Sequence, residues 1–191
     1  MNDGRQIAAG LEELAGAARL AATRAAELEP IVAAMRTSLA TGGTLFFVGN
    51  GGSAADAQHV AAEYVVRFAP GQRRALRALA LTTDSSILTA AANDFGFEQV
   101  FARQLEALAR PGDVLVVHST SGTSANIVQA VTTARGLGMV SVALLGNGGG
   151  MVLSLVDHAF VVETASVAQT QELHLAIQHR IAAILTAEFG A

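Results

Sequence analysis

His59 and Glu63 stand four residues apart in a stretch with helical periodicity, which puts both side chains on one face, a turn apart. An imidazole and a carboxylate so placed can act as two ligands of one metal ion or as an acid/base pair. An ordinary surface hydrogen bond is the plainer alternative. A second set lies near the C-terminus, in Gln171-Glu172-Leu173-His174-Leu175-Ala176-Ile177-Gln178-His179. Gln171 and His179 are separated by about 12 Å of rise on an ideal helix. Both can serve one metal only through long convergent side chains, a local distortion, or contributions from two subunits. His118 and His158, at strand edges, read as structural.

Two loops have a composition suited to ligands. Gly49-Asn50-Gly51-Gly52-Ser53 joins a short apolar run to a helical stretch, and its glycines let the backbone come close to a bound molecule. The spacing is not that of a dinucleotide fingerprint, and a helix-capping turn explains the loop equally well. Ser119-Thr120-Ser121-Gly122-Thr123-Ser124 offers five hydroxyls just before another helix. Hydroxyls and free N–H groups at a helix N-terminus form an uncharged phosphate cradle, with the helix dipole favouring the anion. A single hydroxyl suffices for a cap, so five point to phosphate.

Composition narrows the chemistry. The chain has 191 residues, 51% hydrophobic and 15% charged, with 12 basic and 16 acidic residues for a net charge of −4. All the basic residues are Arg; Lys, Cys and Trp are absent. Without Lys there is no Schiff base and no Walker A loop; without Cys there is no thiol nucleophile, disulfide or thiolate metal site. Any metal must be held by His, carboxylate or amide, and any phosphate by Arg, hydroxyl or backbone N–H. The mildly acidic balance argues against general nucleic-acid or membrane-surface binding. No signal peptide and no apolar run of about 20 residues is found, so a cytoplasmic location is expected. Low charge with abundant Ala and Val suggests helix surface buried between subunits.

The elements that must position these residues follow from hydrophobic patterning. Helices are expected over 6–28 and 30–40, with Pro30 in a first turn and Gly42-Gly43 as the stop. Strands are expected at 45–48, 76–81, 114–117, 140–145 and 160–162, with helical segments at 53–68, 85–92, 97–109, 124–137 and 166–189. Continuously apolar strands alternating with helices indicate a parallel sheet covered on both faces. The expectation is one domain over 1–191: a doubly wound, five-stranded, flavodoxin-like α/β core over 42–191 behind an N-terminal helical hairpin over 1–41. The basic cluster Gln72-Arg73-Arg74-Ala75-Leu76-Arg77 reads as a solvated loop.

Four motifs, in order, carry a resemblance: Gly49 to His59 followed by Glu63; Asn93-Asp94-Phe95-Gly96-Phe97; Ser119-Thr120-Ser121-Gly122; and Gln171-Glu172-Leu173-His174 with His179. Together they resemble the bacterial phosphoheptose isomerases of the sugar-isomerase (SIS) fold, over nearly the whole chain. The resemblance implies a homotetramer with active sites at subunit interfaces, its N-terminal helices used for oligomerisation. It implies zinc bound by His59, Glu63, Gln171 and His179. It matches Ser53, Ser119, Thr120, Ser121 and Ser124 to sugar-phosphate contacts, and Asn50, Gly51, Gly52, Asn93, Asp94, Arg67 and Gln171 to the substrate site.

The implied reaction turns sedoheptulose 7-phosphate into D-glycero-D-manno-heptose 7-phosphate. Such an isomerisation needs a base to carry a proton between C1 and C2 and an acid for the oxygens, roles expected of Glu63 and His179. A divalent ion would stabilise the enediolate. Departures stand at Thr123, Gly150, Ala168, Gln169 and Thr170, where similar proteins commonly carry Asn, Lys, Asp and an Arg-Ile pair. Two other readings compete: a non-catalytic tetramer of the same fold that binds the replication initiator protein, and a sugar-phosphate-binding regulator. The intact His59, Glu63, Gln171 and His179 favour the enzyme.

Overall fold

The computed structural model describes residues 2–68 and 74–189. Five short strands run β1 (Leu45–Val48), β2 (Ala78–Ala80), β3 (Val114–Ser119), β4 (Val140–Leu145) and β5 (His158–Val161). They form one all-parallel sheet in the order β2-β1-β3-β4-β5. Helices α1 (Asp3–Thr23) and α2 (Glu29–Ala40) precede the sheet. Within it come α3 (Gly52–Val65), α4 (Ser85–Phe95), α5 (Ala102–Leu108) and α6 (Ala125–Gly136), and α7 (Val167–Glu188) closes the chain. Among the described residues no helix is long and apolar enough to cross a membrane.

The pleat explains why the strands are apolar throughout. Alternate side chains point to opposite faces, and both faces are covered. Leu45 and Phe47 join Val60, Tyr64, Ile177 and Ile181 in one core, while Phe46 and Val48 join Leu105, Ile127 and Val131 in the other.

Several boundaries differ from expectation for local reasons. The helix expected over 6–28 breaks at Arg24, where a 3-10 turn over Ala25–Leu28 begins. Arg24 is held there by Glu27, by Glu163 at 2.7 Å and by the Val161 carbonyl at 3.0 Å, with its guanidinium over Phe160. This contact ties the corner of the hairpin to the end of β5. The segment expected as one helix over 97–109 splits into a 3-10 turn, Phe97–Gln99, and α5, with Val100 and Phe101 buried at the junction. β3 continues past 117 because β4 pairs with it through Leu145, so His118 and Ser119 lie inside the sheet. β2 is only three residues long, and β5 begins at His158. In the basic cluster, Gln72 and Arg73 lie outside the described residues. Arg74 places its guanidinium over the ring of Phe189, just past the end of α7, and Arg77 donates to the Thr44 hydroxyl at 3.0 Å.

Gly150 has a packing reason. Its φ is +52°, and a Cβ there would lie 2.6 Å from the Gly122 carbonyl oxygen and 2.7 Å from that of Ser121. The loop after β4 therefore lies backbone to backbone on the Ser119–Ser124 loop, joined by Val152 N–H donating to the Gly122 carbonyl at 2.9 Å. A lysine at 150 would not fit this approach.

The core also holds two fully buried imidazoles. His118 on β3 and His174 on α7 have ring centroids 6.1 Å apart, and His118 leans on Phe47. Burial pushes His118 down to about 3, helped by the neighbouring His174, and pushes His174 down to about 4; the backbones of Ser53 and Leu145 oppose these shifts weakly. Both rings are uncharged at neutral pH. In the unfolded chain they protonate near pH 6.5, so the unfolded state binds more protons below that point and stability falls with pH. Each histidine is expected to cost about 1.4 kcal/mol per pH unit below about pH 6.5, until its folded pKa is approached. Urea unfolding with chelator present, from pH 6.5 to 4.5, checks this: His118→Leu should flatten the slope relative to the parent chain. Parallel slopes would show that His118 does not titrate on unfolding.

Candidate active site

In a sheet of this order the chain leaves β1 toward β2 and leaves β3 toward β4, in opposite directions. A crevice opens where the order reverses, beyond the carboxyl ends of β1 and β3. The two ligand-type loops sit at those ends: Gly49–Gly52 follows β1, and Thr120–Ser124 follows β3.

The loop after β3 is built by its own hydroxyls. Ser119 Oγ accepts from the Gly122 N–H at 3.0 Å, and Ser121 Oγ accepts from the Thr123 N–H at 3.3 Å. Ser124 is the N-cap of α6, and its carbonyl accepts from the Ile127 and Val128 N–H groups, yet its side chain makes no capping bond. The capping explanation for this serine therefore fails. Its hydroxyl and the first N–H groups of α6 are placed to meet an anion. Gly51 caps α3, also without a side-chain bond, and Ser53 is buried in the first turn. Two helix N-termini thus flank the crevice.

His59, Glu63 and His179 form the cluster that carries reactive groups. Their ligand atoms all lie within 4.8 Å of one another. His59 Nε2 faces His179 Nε2 at 2.9 Å, so one ring donates and the other accepts, and His59 Nε2 lies 3.5 Å from Glu63 Oε1. The pair that could have been a plain surface contact is completed by a residue 120 positions away. Burial, chiefly, and then the neighbouring His59 hold His179 below the ordinary imidazole range, while Glu63 pulls it up and Arg180 pulls it down. Uncharged nitrogens and a carboxylate are the donor set zinc prefers. Two ligands bonded at about 2.0–2.1 Å with a tetrahedral angle stand about 3.3 Å apart, and the 2.9 and 3.5 Å separations bracket that value. The residues present fit such an ion.

Gln171 sits elsewhere on α7. A Cβ on Gly52 would lie 2.6 Å from both polar atoms of the Gln171 carboxamide, so glycine at 52 is what lets that amide lie on the start of α3. Since Gly52 meets Gln171 and His59 meets His179, α3 and α7 run side by side in the same sense. Gln171 is at the crevice end of this helix pair, and the imidazole cluster lies about two turns further along. Asn50, half-buried at the end of β1, is joined to Asn126 of α6 by two hydrogen bonds. Asn126 was not singled out from sequence. A polar side chain in the first turn after a serine cap was the available sign, but it equally fits a surface position.

Three expected substrate contacts are exposed. Asn93 and Asp94, in the last turn of α4, are exposed, and Asn93 donates to Asp94 at 2.8 Å. Arg67 is exposed just beyond the end of α3. Of the histidines expected to be structural, His118 is wholly enclosed and His158 is half-buried at the start of β5.

The chain and its fold are similar to those of known proteins. Residues 13–146 match the SIS domain family model. A phosphoheptose isomerase of Paramagnetospirillum magneticum is 50% identical over 165 residues, covering 85% of each chain. That of Chlorobaculum parvum is 48% identical over 186 residues, covering 94% of this chain and 89% of its own. The phosphoheptose isomerase structure from Neisseria gonorrhoeae superposes with a TM-score of 0.90 at 37% identity, covering 97% of this chain and all of that one. The parallel sheet, the loops at its switch point and these similarities together make the chain an isomerase belonging to the phosphoheptose isomerase family, on the SIS fold.

Proposed function

We propose that the enzyme interconverts sedoheptulose 7-phosphate and D-glycero-D-manno-heptose 7-phosphate. The supporting observation is the meeting of His59, Glu63 and His179 at a set distance from a phosphate-type cradle. Ser53, at the cradle, and His59 are six residues apart on α3, about 9 Å of rise. Six staggered C–C bonds of about 1.5 Å span about 7.5 Å, and the phosphate ester adds to that, so a seven-carbon 7-phosphate can reach from cradle to cluster.

The phosphate rests on the hydroxyls of Ser53, Ser119, Thr120, Ser121 and Ser124 and on the N-termini of α3 and α6. Asn50, Gly51, Gly52 and Gln171 line the sugar at the crevice. The Glu63 carboxylate takes a proton from C1 of the ketose and returns it to C2. His179 serves the oxygens: its N–H donates toward O2 as the enediolate forms, and its ring takes the O1 proton as the aldehyde forms. No atom is gained or lost. With its pKa held down, His179 acts as an uncharged imidazole.

His59, Glu63 and His179 would hold zinc, with the Gln171 amide oxygen as a fourth donor once its side chain turns toward them. When bound, the ion supplies Lewis-acid polarisation of the substrate oxygens. A structural scaffold or a sugar-phosphate sensor would have no use for this donor set.

The assembly we infer is a cytoplasmic homotetramer with active sites at subunit interfaces. α1 buries none of its 21 residues within the chain, and Ile7 and Leu11 are 65% and 62% exposed. Arg67, Asn93 and Asp94, exposed in one chain, then serve a site completed by a neighbour.

Zinc-loaded protein given sedoheptulose 7-phosphate is expected to yield an aldose heptose 7-phosphate; no aldose phosphate, with or without zinc, would falsify the activity. Glu63→Gln should lower kcat by about 100-fold or more while the sugar phosphate still binds. Near-normal turnover would remove Glu63 as the base. After dialysis, His59→Ala and His179→Ala should retain little zinc by elemental analysis while keeping parental circular dichroism; full retention by both would dissolve the proposed centre. Light scattering should give about four times the 19.5 kDa chain mass, and a monomer at micromolar concentration would refute the assembly.

A further inference from the structure

Asn126 is 2% exposed and lies in the first turn of α6, yet its side chain serves neither its own helix nor the hydroxyl loop before it. It reaches across the crevice to Asn50, 76 residues earlier. Asn50 Nδ2 donates to Asn126 Oδ1 at 2.9 Å, and Asn126 Nδ2 donates to Asn50 Oδ1 at 2.8 Å. A reciprocal pair of this kind fixes the orientation of each amide relative to the other. Turning either one over would set nitrogen against nitrogen and oxygen against oxygen, losing both bonds.

Asn50 needs such an anchor. It follows the last residues of β1 and precedes two glycines, so its own backbone offers little restraint. Each carboxamide keeps a second N–H and a second lone pair after pairing. Those of Asn126 are enclosed, whereas Asn50 is half-buried at the mouth of the crevice and keeps its free N–H and lone pair for a ligand.

We propose that Asn126 is a positioning residue: it clamps the Asn50 amide across the β1/β3 switch point and holds it against independent rotation where it meets the sugar. The inference rests on the reading of Asn50 as a substrate contact. A side chain left free to rotate presents a donor and an acceptor interchangeably, so it loses both discrimination and affinity. The same clamp joins the loop after β1 to the first turn of α6, which keeps the two anion-binding helix ends in register.

The test is a double-mutant cycle on the full-length, metal-loaded protein, read by sedoheptulose 7-phosphate affinity and by kcat/KM. Asn126→Ala and Asn50→Ala should each lower kcat/KM and sugar-phosphate affinity by about tenfold, the worth of a hydrogen bond to a positioned polar group. The double variant should be no worse than either single one, within about twofold. Losses that multiply, or an Asn126→Ala enzyme within twofold of the parent, overturn the proposal. Asn126→Leu keeps the volume but removes both hydrogen bonds to Asn50. It should therefore impair the enzyme while the melting temperature stays near parental, which a purely packing role would not produce. Hydrogen exchange of the Asn50 side-chain amide in ¹⁵N-labelled protein gives a readout independent of turnover. It should be slow in the parent and fast in Asn126→Leu; equal rates overturn the clamp. A parent chain that binds the sugar phosphate without isomerising it refutes the proposed function alone. An active parent with indifferent Asn126 variants refutes the clamp alone.

Discussion

Everything functional in this molecule depends on one topological constraint. A parallel sheet needs a crossover between successive strands, and the crossovers here leave β1 and β3 in opposite directions. The two central strands therefore end in loops that cannot cover one another. The gap between them is lined by backbone and by the N-termini of α3 and α6. The fold supplies an anion-attracting crevice before any side chain is chosen, and the serines and glycines then fill it without blocking it.

A second constraint comes from the charge inventory. With no lysine, the groups this crevice offers an anion are dipoles and hydroxyls, which do not titrate near neutral pH. The same economy appears in the core, where His118 and His174 are kept neutral by burial, and in the cluster, where His179 is held in its uncharged form. These three imidazoles are arranged to remain lone-pair donors or neutral N–H groups. The close backbone contact of Gly122 with Gly149 and Gly150 follows the same pattern: two loops are joined by shape.

The strands were legible because they are buried on both faces and read as short apolar runs, and the loops because glycine and serine accumulate where helices start. The ends of elements were less legible. Ser119 belongs to β3 only because β4 offers a partner at Leu145, information that lies outside the segment itself. Arg24 interrupts a sequence with good helical periodicity because Glu163 and the Val161 carbonyl hold it at the corner. The split of 97–109 reflects Val100 and Phe101 turning into the core. In each case a distant contact outweighs local propensity.

By itself the sequence determined the class of fold, the position of the two ligand loops and the chemistry open to a chain without lysine or cysteine. It also placed His59 and Glu63 on one helical face, since a spacing of four suffices for that. It could not decide whether His179 joins them or whether Gln171 does. Helical periodicity sets the face of a residue, not the partner that face meets. The parallel packing of α3 against α7 brings His59 within 2.9 Å of His179 and lays Gln171 on Gly52, two turns away. The pairing of Asn50 with Asn126 was likewise settled only in three dimensions, because it joins two segments whose sole common cause is the order of the strands between them.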